Sequence, residues 1–294
     1  MSLVRKLRTA RDLFAYHRAR SAAFAEHDYR NVFGAARDRL ACALGRPVEG
    51  LRILDVGCGQ RTPATLLFQA AGNEVTGIDT ELITTGPGVA SFVRAWRADG
   101  LERAAKTLVR QLLFDPAYDR RLAALAGKPL ARRTLDIRRL SVTELEFPDS
   151  SFDAVISNAV FEHVPGVPAA VGEVARVLRP GGVAHIAIHL FPSLSGGHHM
   201  AWAFPDQSIP EDVPPWDHLR ENRFPAHVYL NKLKESDYRA AFAAEPRLEL
   251  LDWVTTWTEG DALLTPEIER ELTGRGYARE DLLKREVVAI ARRR

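Results

Sequence analysis

The sequence predicts an α/β fold in which a mostly parallel sheet is covered by helices on both faces. Short β-branched and aliphatic runs alternate with helical segments along the chain, as in strands that are buried on both faces. A strand at Ile53 to Val56 runs into a glycine turn, and Gly77-Ile78-Asp79 ends the next strand in a carboxylate. With 294 residues, 46% of them hydrophobic, the chain is long enough for one domain with a full core, 1–294.

Hydrophobic periodicity and the positions of capping residues, prolines and glycines predict the helices and strands. Helices are predicted at 3–18 and about 22–44, within a helical N-terminal region 1–46. After the glycine turn, Thr62 is a good N-cap, Pro63 a good first helical residue and Gly72 a good stop. Later strands are predicted at 74–78, 134–142, 154–157, 183–188, 248–257 and 287–291, with helices at 168–178 and 237–244.

Two segments are longer than a minimal fold requires. Residues 81–133 are rich in Leu, Ala and Arg from Ala90 to Leu125, which predicts a helical insert. Residues 190–236 combine aromatic residues, histidines and prolines with the run Ser195-Gly-Gly. We interpret this second segment as a substrate lid, because open α/β folds bind ligands at the carboxyl edge of the sheet. The alternative is a structural cap whose aromatic residues belong to the core.

The glycine turn, Asp55-Val-Gly57-Cys-Gly59, indicates a nucleotide-like ligand. Glycines allow backbone N–H groups to approach such a ligand closely, and a second acid, Asp79, can accept hydrogen bonds from ribose hydroxyls. Asp55 would repel a pyrophosphate but attract the ammonium of an amino acid. The pattern therefore favours S-adenosylmethionine over NAD. Asp55 as a turn cap and Asp79 as a helix N-cap are the structural alternatives.

Two later runs extend the pattern. From Phe147 the chain runs FPDSSFDAVISNAVFEHV, and Glu173 opens EVARVLRPGG, which ends at Gly182. Together with the glycine turn, these blocks resemble the class I S-adenosylmethionine-dependent methyltransferases over residues 51–189. The resemblance implies a Rossmann-like seven-stranded sheet whose last strand is antiparallel to the fifth. The chain departs from the family where Gln60, Arg61 and Thr62 replace a frequent third glycine.

The resemblance also implies the cofactor site. Ser141 occupies a position where the family often has an acid for the adenine amino group, with Glu144 as a competing acceptor. Asn158 corresponds to a position near the methionine moiety, or is a turn-forming asparagine. The predicted cofactor-binding residues are Asp55, Gly57, Cys58, Gly59, Gln60, Asp79, Thr80, Ser141, Val142 and Asn158. Cys58 contributes its backbone, so its thiol is expected to be inert.

Methyl transfer requires an aligned nucleophile and, for a hydroxyl acceptor, removal of a proton. Histidine suits the second task. His163, next to Glu162 after strand four, and His189, after strand five, are the predicted catalytic residues, although His163 could instead hold the loop by hydrogen bonding. The predicted substrate contacts are Glu162, His198, His199, Trp216, Asp217, His218 and Tyr229. For Trp216 to His218 the alternative is a turn rigidified by prolines. No metal is predicted, because His198-His199 lacks the i, i+4 spacing of helical ligand pairs.

We therefore expect a cytoplasmic methyltransferase that acts on a small molecule or glycan precursor, with oxygen as the favoured acceptor atom. The alternatives are a non-methylating enzyme that uses the same cofactor and a non-catalytic binding or regulatory protein. The 40 basic and 38 acidic residues balance, so nucleic acid is not an expected partner. Two cysteines favour a reducing compartment, and no signal peptide or membrane span is expected. The basic 3–18 helix could bind a surface or dock on its own domain.

Overall fold

A computed structural model describes residues 21–84, 88–202 and 209–294. These residues form two compact units. The first combines the chain up to Cys42 with Arg46–Leu140, and the second combines Ala43–Gly45 with Ser141–Arg294. The predicted helix at 3–18 lies outside the described residues.

Three parallel strands form the sheet of the first unit, in the order β3-β2-β1. They are β1 (Arg52–Val56), β2 (Glu74–Asp79) and β3 (Asp136–Arg139). A π-helical segment, Asp28–Gly34, leads into helix α1 (Ala35–Leu44), and helix α2 (Pro63–Ala70) follows the glycine turn. Phe33 of the π-helical segment packs edge-on against Phe68 of α2, with ring centroids 4.9 Å apart. This contact anchors the N-terminal helices on the unit that carries the turn.

Two local predictions for this unit need correction. Thr62 precedes α2 as expected, but its side chain makes no capping hydrogen bond, since its backbone is left-handed with φ of 46°. Its hydroxyl instead accepts a hydrogen bond from Arg132 at 3.1 Å. Strand β3 is shorter than the predicted 134–142, because a 3₁₀ turn occupies Arg132–Thr134 and the strand ends at Arg139.

The insert is helical, as predicted. It contains α3 (Val89–Asp99), α4 (Leu101–Leu113) and α5 (Asp115–Ala126). Asp115, at the start of α5, accepts hydrogen bonds from Arg61 and Arg110, both at 3.1 Å. Arg61 follows the glycine turn directly, so this pair of contacts ties the insert to the turn.

The second unit has four strands in the order β4-β5-β7-β6. They are β4 (Phe152–Asn158), β5 (Leu178–His189), β6 (Leu248–Thr258) and β7 (Lys284–Arg293). Strands β4 and β5 are parallel, while β7 is antiparallel to both β5 and β6. The predicted antiparallel pairing of the last strand with the fifth is confirmed. The described chain thus contains the expected seven strands, and the α/β, Rossmann-like, mostly parallel fold class is confirmed.

The helices of this unit are α6 (Val167–Val177), α7 (Glu235–Ala243), α8 (Pro266–Gly274) and α9 (Arg279–Leu283). The first two were predicted, and the last two were not. In α8, Thr265 caps the helix by accepting a hydrogen bond from the backbone N–H of Ile268, and Pro266 begins it. Within the described residues no helix is long and apolar enough to cross a bilayer.

The described parts of the 190–236 segment, 190–202 and 209–236, contribute much of a second core. Its buried members are Phe191, Leu194, Trp202, Val213, Trp216, Leu219, Leu230, Leu264, Leu272 and Leu282. These contacts support the structural-cap interpretation for the buried aromatic residues. Residues 203–208 lie outside the described part of the chain.

Candidate cofactor and catalytic sites

The glycine turn has the backbone that its sequence predicts. Gly57 and Gly59 have positive φ values of 70° and 64°, which favour glycine. The backbone N–H groups of Gly57 and Cys58 both donate to Ile78 O, at 2.8 and 3.0 Å, and so join the turn to β2. A Cβ atom at Gly59 would meet no atom within 4 Å. The turn therefore leaves open space beside Gly59 where a ligand can approach its backbone.

Cys58 is packed inside the first unit. A Cβ atom added to Gly77 of β2 would lie 3.1 Å from Cys58 Sγ and 2.7 Å from Ile137 Cδ1, so only glycine fits there without displacing these atoms. Burial, together with the nearby Asp55 and Asp79 carboxylates, raises the pKa of the Cys58 thiol. These contacts support the expectation of an inert thiol.

Both acids of the cofactor pattern are held by hydrogen bonds. Asp79 accepts from the N–H of Gly59 at 3.0 Å and from the N–H of Glu81 at 2.9 Å, one bond on each carboxylate oxygen. Asp55 is buried and accepts from the Thr65 hydroxyl at 2.6 Å. Burial raises the pKa of Asp55 to about 6. A ligand ammonium beside Asp55 would favour its ionised form and oppose this shift.

The turn also contains an unsatisfied polar atom. Gln60 donates through Nε2 to Glu81 and to Leu82 O, both at 3.3 Å, whereas its buried Oε1 has no hydrogen-bond partner among the described residues. Each Asp79 oxygen retains capacity to accept a further hydrogen bond. The first unit therefore offers an ammonium partner and several acceptors for hydroxyl or amino groups, which fits S-adenosylmethionine. Thr80 is exposed, and its carbonyl accepts from Arg139 at 2.9 Å.

The other predicted cofactor residues belong to the second unit. Ser141 and Thr143 share a hydrogen bond of 2.8 Å between their hydroxyls, and Ser141 pairs with Glu144 in an isolated bridge. Val142 is buried. Asn158 is exposed at the end of β4. Their predicted roles toward the cofactor stay predictions.

A compact histidine cluster lies after β4 and β5. Glu162 and His163 occupy a 3₁₀ turn, Phe161–His163, His189 ends β5, and His198 lies in the loop that follows. The His198 ring packs against those of His163 and His189, with centroids 4.9 and 4.7 Å apart. His198 Nε2 lies 4.0 Å from Glu162 Oε1. The structure thus brings together both predicted catalytic histidines and two predicted substrate contacts.

Burial controls protonation in this cluster. Glu162 is only 1% exposed. Backbone N–H groups of Glu162 and His189 lie near its carboxylate, but neither oxygen has a partner with hydrogen-bond geometry in the described part of the chain. Burial raises the pKa of Glu162 to about 8. Burial, followed by the positive charge of neighbouring groups, lowers the pKa of His198 to about 4 and holds the pKa of His189 well below its usual range. At neutral pH these histidines are uncharged, and either can take up a proton only at a cost in free energy that a neighbouring negative charge, such as an ionised Glu162, would offset.

A hydrogen-bond chain that the sequence analysis missed orients His189. Its Nε2 lies 3.0 Å from Ser195 Oγ, and the Ser195 hydroxyl donates to Glu259 at 2.6 Å. The Ser195 hydroxyl donates its single proton to Glu259, so it can only accept from His189. His189 Nε2–H is therefore the donor to Ser195, and Nδ1 of the neutral ring is left unprotonated. Arg285 donates to the second Glu259 oxygen at 3.1 Å and lies 4.0 Å from the ring centroid of Trp257. Ser195 and Glu259 are 64 positions apart, so no local pattern could reveal this chain.

The remaining predicted substrate contacts have structural partners. Trp216 is completely buried, and Asp217 accepts from the N–H of Phe224 at 2.9 Å. His218 donates to Phe191 O at 2.9 Å, and burial lowers its pKa to about 4. His199 accepts from the N–H of Ala201 at 3.1 Å. These contacts favour the rigid-turn alternative for Trp216 to His218.

His163 and Tyr229 meet through the backbone. His163 Nδ1 donates to Tyr229 O at 2.8 Å, as expected if His163 holds a loop in place. The Tyr229 side chain itself is exposed. Its predicted contact with substrate stays a prediction.

Comparison with known proteins relates part of this chain to methyltransferases. Residues 54–186 match the family described as Methyltransferase domain. The chain is 27% identical over 177 residues to sterol 24-C-methyltransferase ERG6B of Gibberella zeae, a match that covers 59% of this chain and 38% of that protein. It is 32% identical over 135 residues to an uncharacterized methyltransferase of Mycobacterium sp. (strain JLS), covering 46% and 48%. The chain thus spans less than half the length of either relative.

Among solved structures, a S-adenosylmethionine-dependent methyltransferase from Mesorhizobium loti matches with a TM-score of 0.48 and 19% identity, over 88% of this chain and 99% of that one. The fold and the glycine turn with its two acids define a Rossmann-like domain that binds S-adenosylmethionine. The match over residues 54–186, which is less than half of the chain, supports a class I S-adenosylmethionine-dependent methyltransferase.

Proposed function

We propose that this protein transfers a methyl group from S-adenosylmethionine to a small-molecule or glycan-precursor acceptor, with a hydroxyl oxygen as the acceptor atom. The observation that carries the proposal is His189, which is uncharged and has its Nδ1 left unprotonated by the hydrogen-bond chain to Ser195 and Glu259. Such a nitrogen can accept the proton that an acceptor hydroxyl releases.

The first unit would hold the cofactor through its two acids. Asp79 would accept hydrogen bonds from the ribose hydroxyls, and Asp55 would orient the methionine ammonium. Gln60 Oε1, unpartnered in the described residues, would accept from a further donor of the ligand. When bound, S-adenosylmethionine supplies an activated methyl group and a neutral leaving group, so the protein needs only to orient the acceptor and to remove a proton.

The second unit would remove the proton from the acceptor. His189 would take it from the acceptor hydroxyl, and the resulting imidazolium would favour the ionised form of Glu162. Ser195 and Glu259 would keep the imidazole in one tautomer and one orientation. They are therefore positioning residues, whereas His189 acts on the acceptor. His163, held by Tyr229 O, would line the same cluster.

A carbon acceptor is the second candidate, and the similarity to a sterol 24-C-methyltransferase supports it. Methylation of an alkene carbon also releases one proton after the new bond forms, so the same base could serve either reaction. The acceptor atom therefore has to be read from the product.

The test is incubation of the protein with methyl-labelled S-adenosylmethionine and a metabolite extract of the host. Mass spectrometry then identifies the labelled product, and carbon NMR distinguishes a methyl ether from a carbon-bound methyl group. Asp79→Ala should lower labelling at sub-saturating S-adenosylmethionine through weakened cofactor binding, while His227→Ala, at an exposed position, serves as the control. Consumption of S-adenosylmethionine without formation of S-adenosylhomocysteine would contradict methyl transfer, and the absence of any turnover would favour a regulatory protein.

A further inference from the structure

We infer that Glu162, His189 and His198 form a binding site for one divalent transition-metal ion, with Zn²⁺ as the preferred ion. The histidine spacing in the sequence gave no reason to expect a metal, because these ligands come from three separate segments. Metal binding is independent of the proposed function, whereas the role of the metal in the reaction rests on it.

The geometry is that of a three-ligand site. Each residue offers one ligand atom, and the three atoms lie within 4.8 Å of one another. Ligand atoms about 2.0 to 2.2 Å from a common Zn²⁺ would be roughly 3.5 Å apart. Since His198 Nε2 and Glu162 Oε1 are 4.0 Å apart, small rotations of the side chains would bring them to this separation.

Glu162 is the independent observation that points to a cation. It is almost completely buried, and although backbone N–H groups of Glu162 and His189 lie near its carboxylate, neither oxygen has a partner with hydrogen-bond geometry among the described residues. Buried polar groups are normally satisfied, because an unpartnered one costs about 1 to 3 kcal/mol or more. A cation between Glu162 and the two imidazoles would satisfy the carboxylate.

The surroundings resemble the support of known metal sites, in which a ligating histidine is oriented by a hydrogen bond from its other nitrogen. An ion bound at His189 Nδ1 would leave Nε2 on Ser195, and Ser195 is held by Glu259. The nearby positive charge of Arg285 is offset by its ion pair with Glu259 at 3.1 Å. Glu162 would therefore contribute its negative charge to the ion without direct competition from an unpaired guanidinium.

Two imidazoles and one carboxylate select the class of ion. Nitrogen ligands suit Zn²⁺, Fe²⁺, Co²⁺ and Ni²⁺, whereas Mg²⁺ and Ca²⁺ prefer oxygen. Three protein ligands leave a coordination position for another oxygen, as in catalytic zinc sites. An acceptor hydroxyl bound there would lose its proton to water more readily. Its oxygen would then form the new bond to the methyl carbon as the S–C bond breaks. In this loaded state His189 would be a ligand and water would take the proton in its place, so the base role of His189 applies to the metal-free protein.

The experiment uses the untagged full chain, stripped with EDTA and then titrated with Zn²⁺ in a calorimeter. Co²⁺ is a second probe, because its visible absorption reports coordination. We expect one ion per chain and a higher Tm with metal, as for any ligand that binds only the folded state. Glu162→Gln and His198→Ala should each weaken binding by about 100-fold or more, since loss of a supporting partner alone costs about 10- to 100-fold. His227→Ala, at an exposed histidine, should bind as the wild type does.

Failure of this inference can be distinguished from failure of the proposed function. Circular dichroism of each variant establishes that it is folded. If the folded wild type takes up no ion, or if Glu162→Gln binds Zn²⁺ as tightly as the wild type, the metal site is refuted. S-adenosylhomocysteine binding and labelled-product formation, measured on the stripped protein, then report on the methyltransferase proposal separately.

Discussion

Replacing Glu162 with Gln should remove a large part of the pH dependence of stability near neutral pH. Burial raises the pKa of Glu162 from 4.5 to about 8 in the folded protein. The folded state therefore holds a proton that the unfolded chain releases above its ordinary pKa. Stability from this group is fully present below pH 4.5 and is lost as the pH rises through about 8.

The size of the effect follows from the interval between the two pKa values. Unfolding free energy should fall by about 1.4 kcal/mol per pH unit within it, or about 5 kcal/mol in all. His198 and His218 have folded pKa values of about 4, so their contribution is lost as the pH falls from 6.5 toward 4. Between about pH 7 and pH 8 both histidines are neutral in the folded state and mostly neutral in the unfolded state. They are common to both proteins, so Glu162 accounts for the difference between the variants.

The assay is urea unfolding of the wild type and Glu162→Gln at several pH values from 7 to 8, with EDTA present to exclude metal. The wild type should lose about 1 kcal/mol relative to the variant over this unit of pH, less than the full slope because the folded carboxyl itself begins to ionise near pH 8. Other groups near Glu162, such as Tyr238 and Glu286, are common to both proteins. If the free energy of unfolding depends on pH in the same way in both proteins, the claim that Glu162 is protonated in the folded state is refuted.

Three further outcomes are expected. Asp79→Ala should weaken S-adenosylhomocysteine binding by about 1.5 to 3 kcal/mol in calorimetry, because hydrogen bonds to a charged group are lost; unchanged affinity would exclude the ribose role. His189→Ala should lower turnover by about 10²- to 10⁴-fold in the labelled-product assay while cofactor affinity is retained, and a fully active variant would remove His189 from the mechanism. Trp216→Ala should destabilise the fold by about 3 to 5 kcal/mol in urea unfolding, since the ring is fully buried; wild-type stability with a raised acceptor KM would instead restore its predicted substrate role.

The fold could be predicted well because its signals are local. Strands β1 and β2, the glycine turn between β1 and α2, and the helical insert all appear as short runs whose period or glycine content indicates their structure. The errors occur where longer-range contacts compete with local preference. Thr62 has a side chain suited to an N-cap, but its hydroxyl instead accepts a hydrogen bond from Arg132, which is 70 positions away.

Helices α8 and α9 were missed even though Thr265 and Pro266 carry a standard start signal. Both helices are short. Leu272 and Leu282 are buried because they pack into the second core, and neither helix has an apolar stripe along its own sequence. A periodicity argument has little to detect in elements of this length.

The sequence by itself determined the glycine turn, the acids at Asp55 and Asp79 and the expectation of S-adenosylmethionine, because backbone freedom at glycine and the charge of a carboxylate are local properties. Only the tertiary structure decided that Trp216 is core and that Glu162, His189 and His198 form one buried cluster supported by Ser195 and Glu259. Burial and proximity depend on how distant segments pack. The protonation of Glu162 and of the histidines follows from that packing and could not be read from the residues alone.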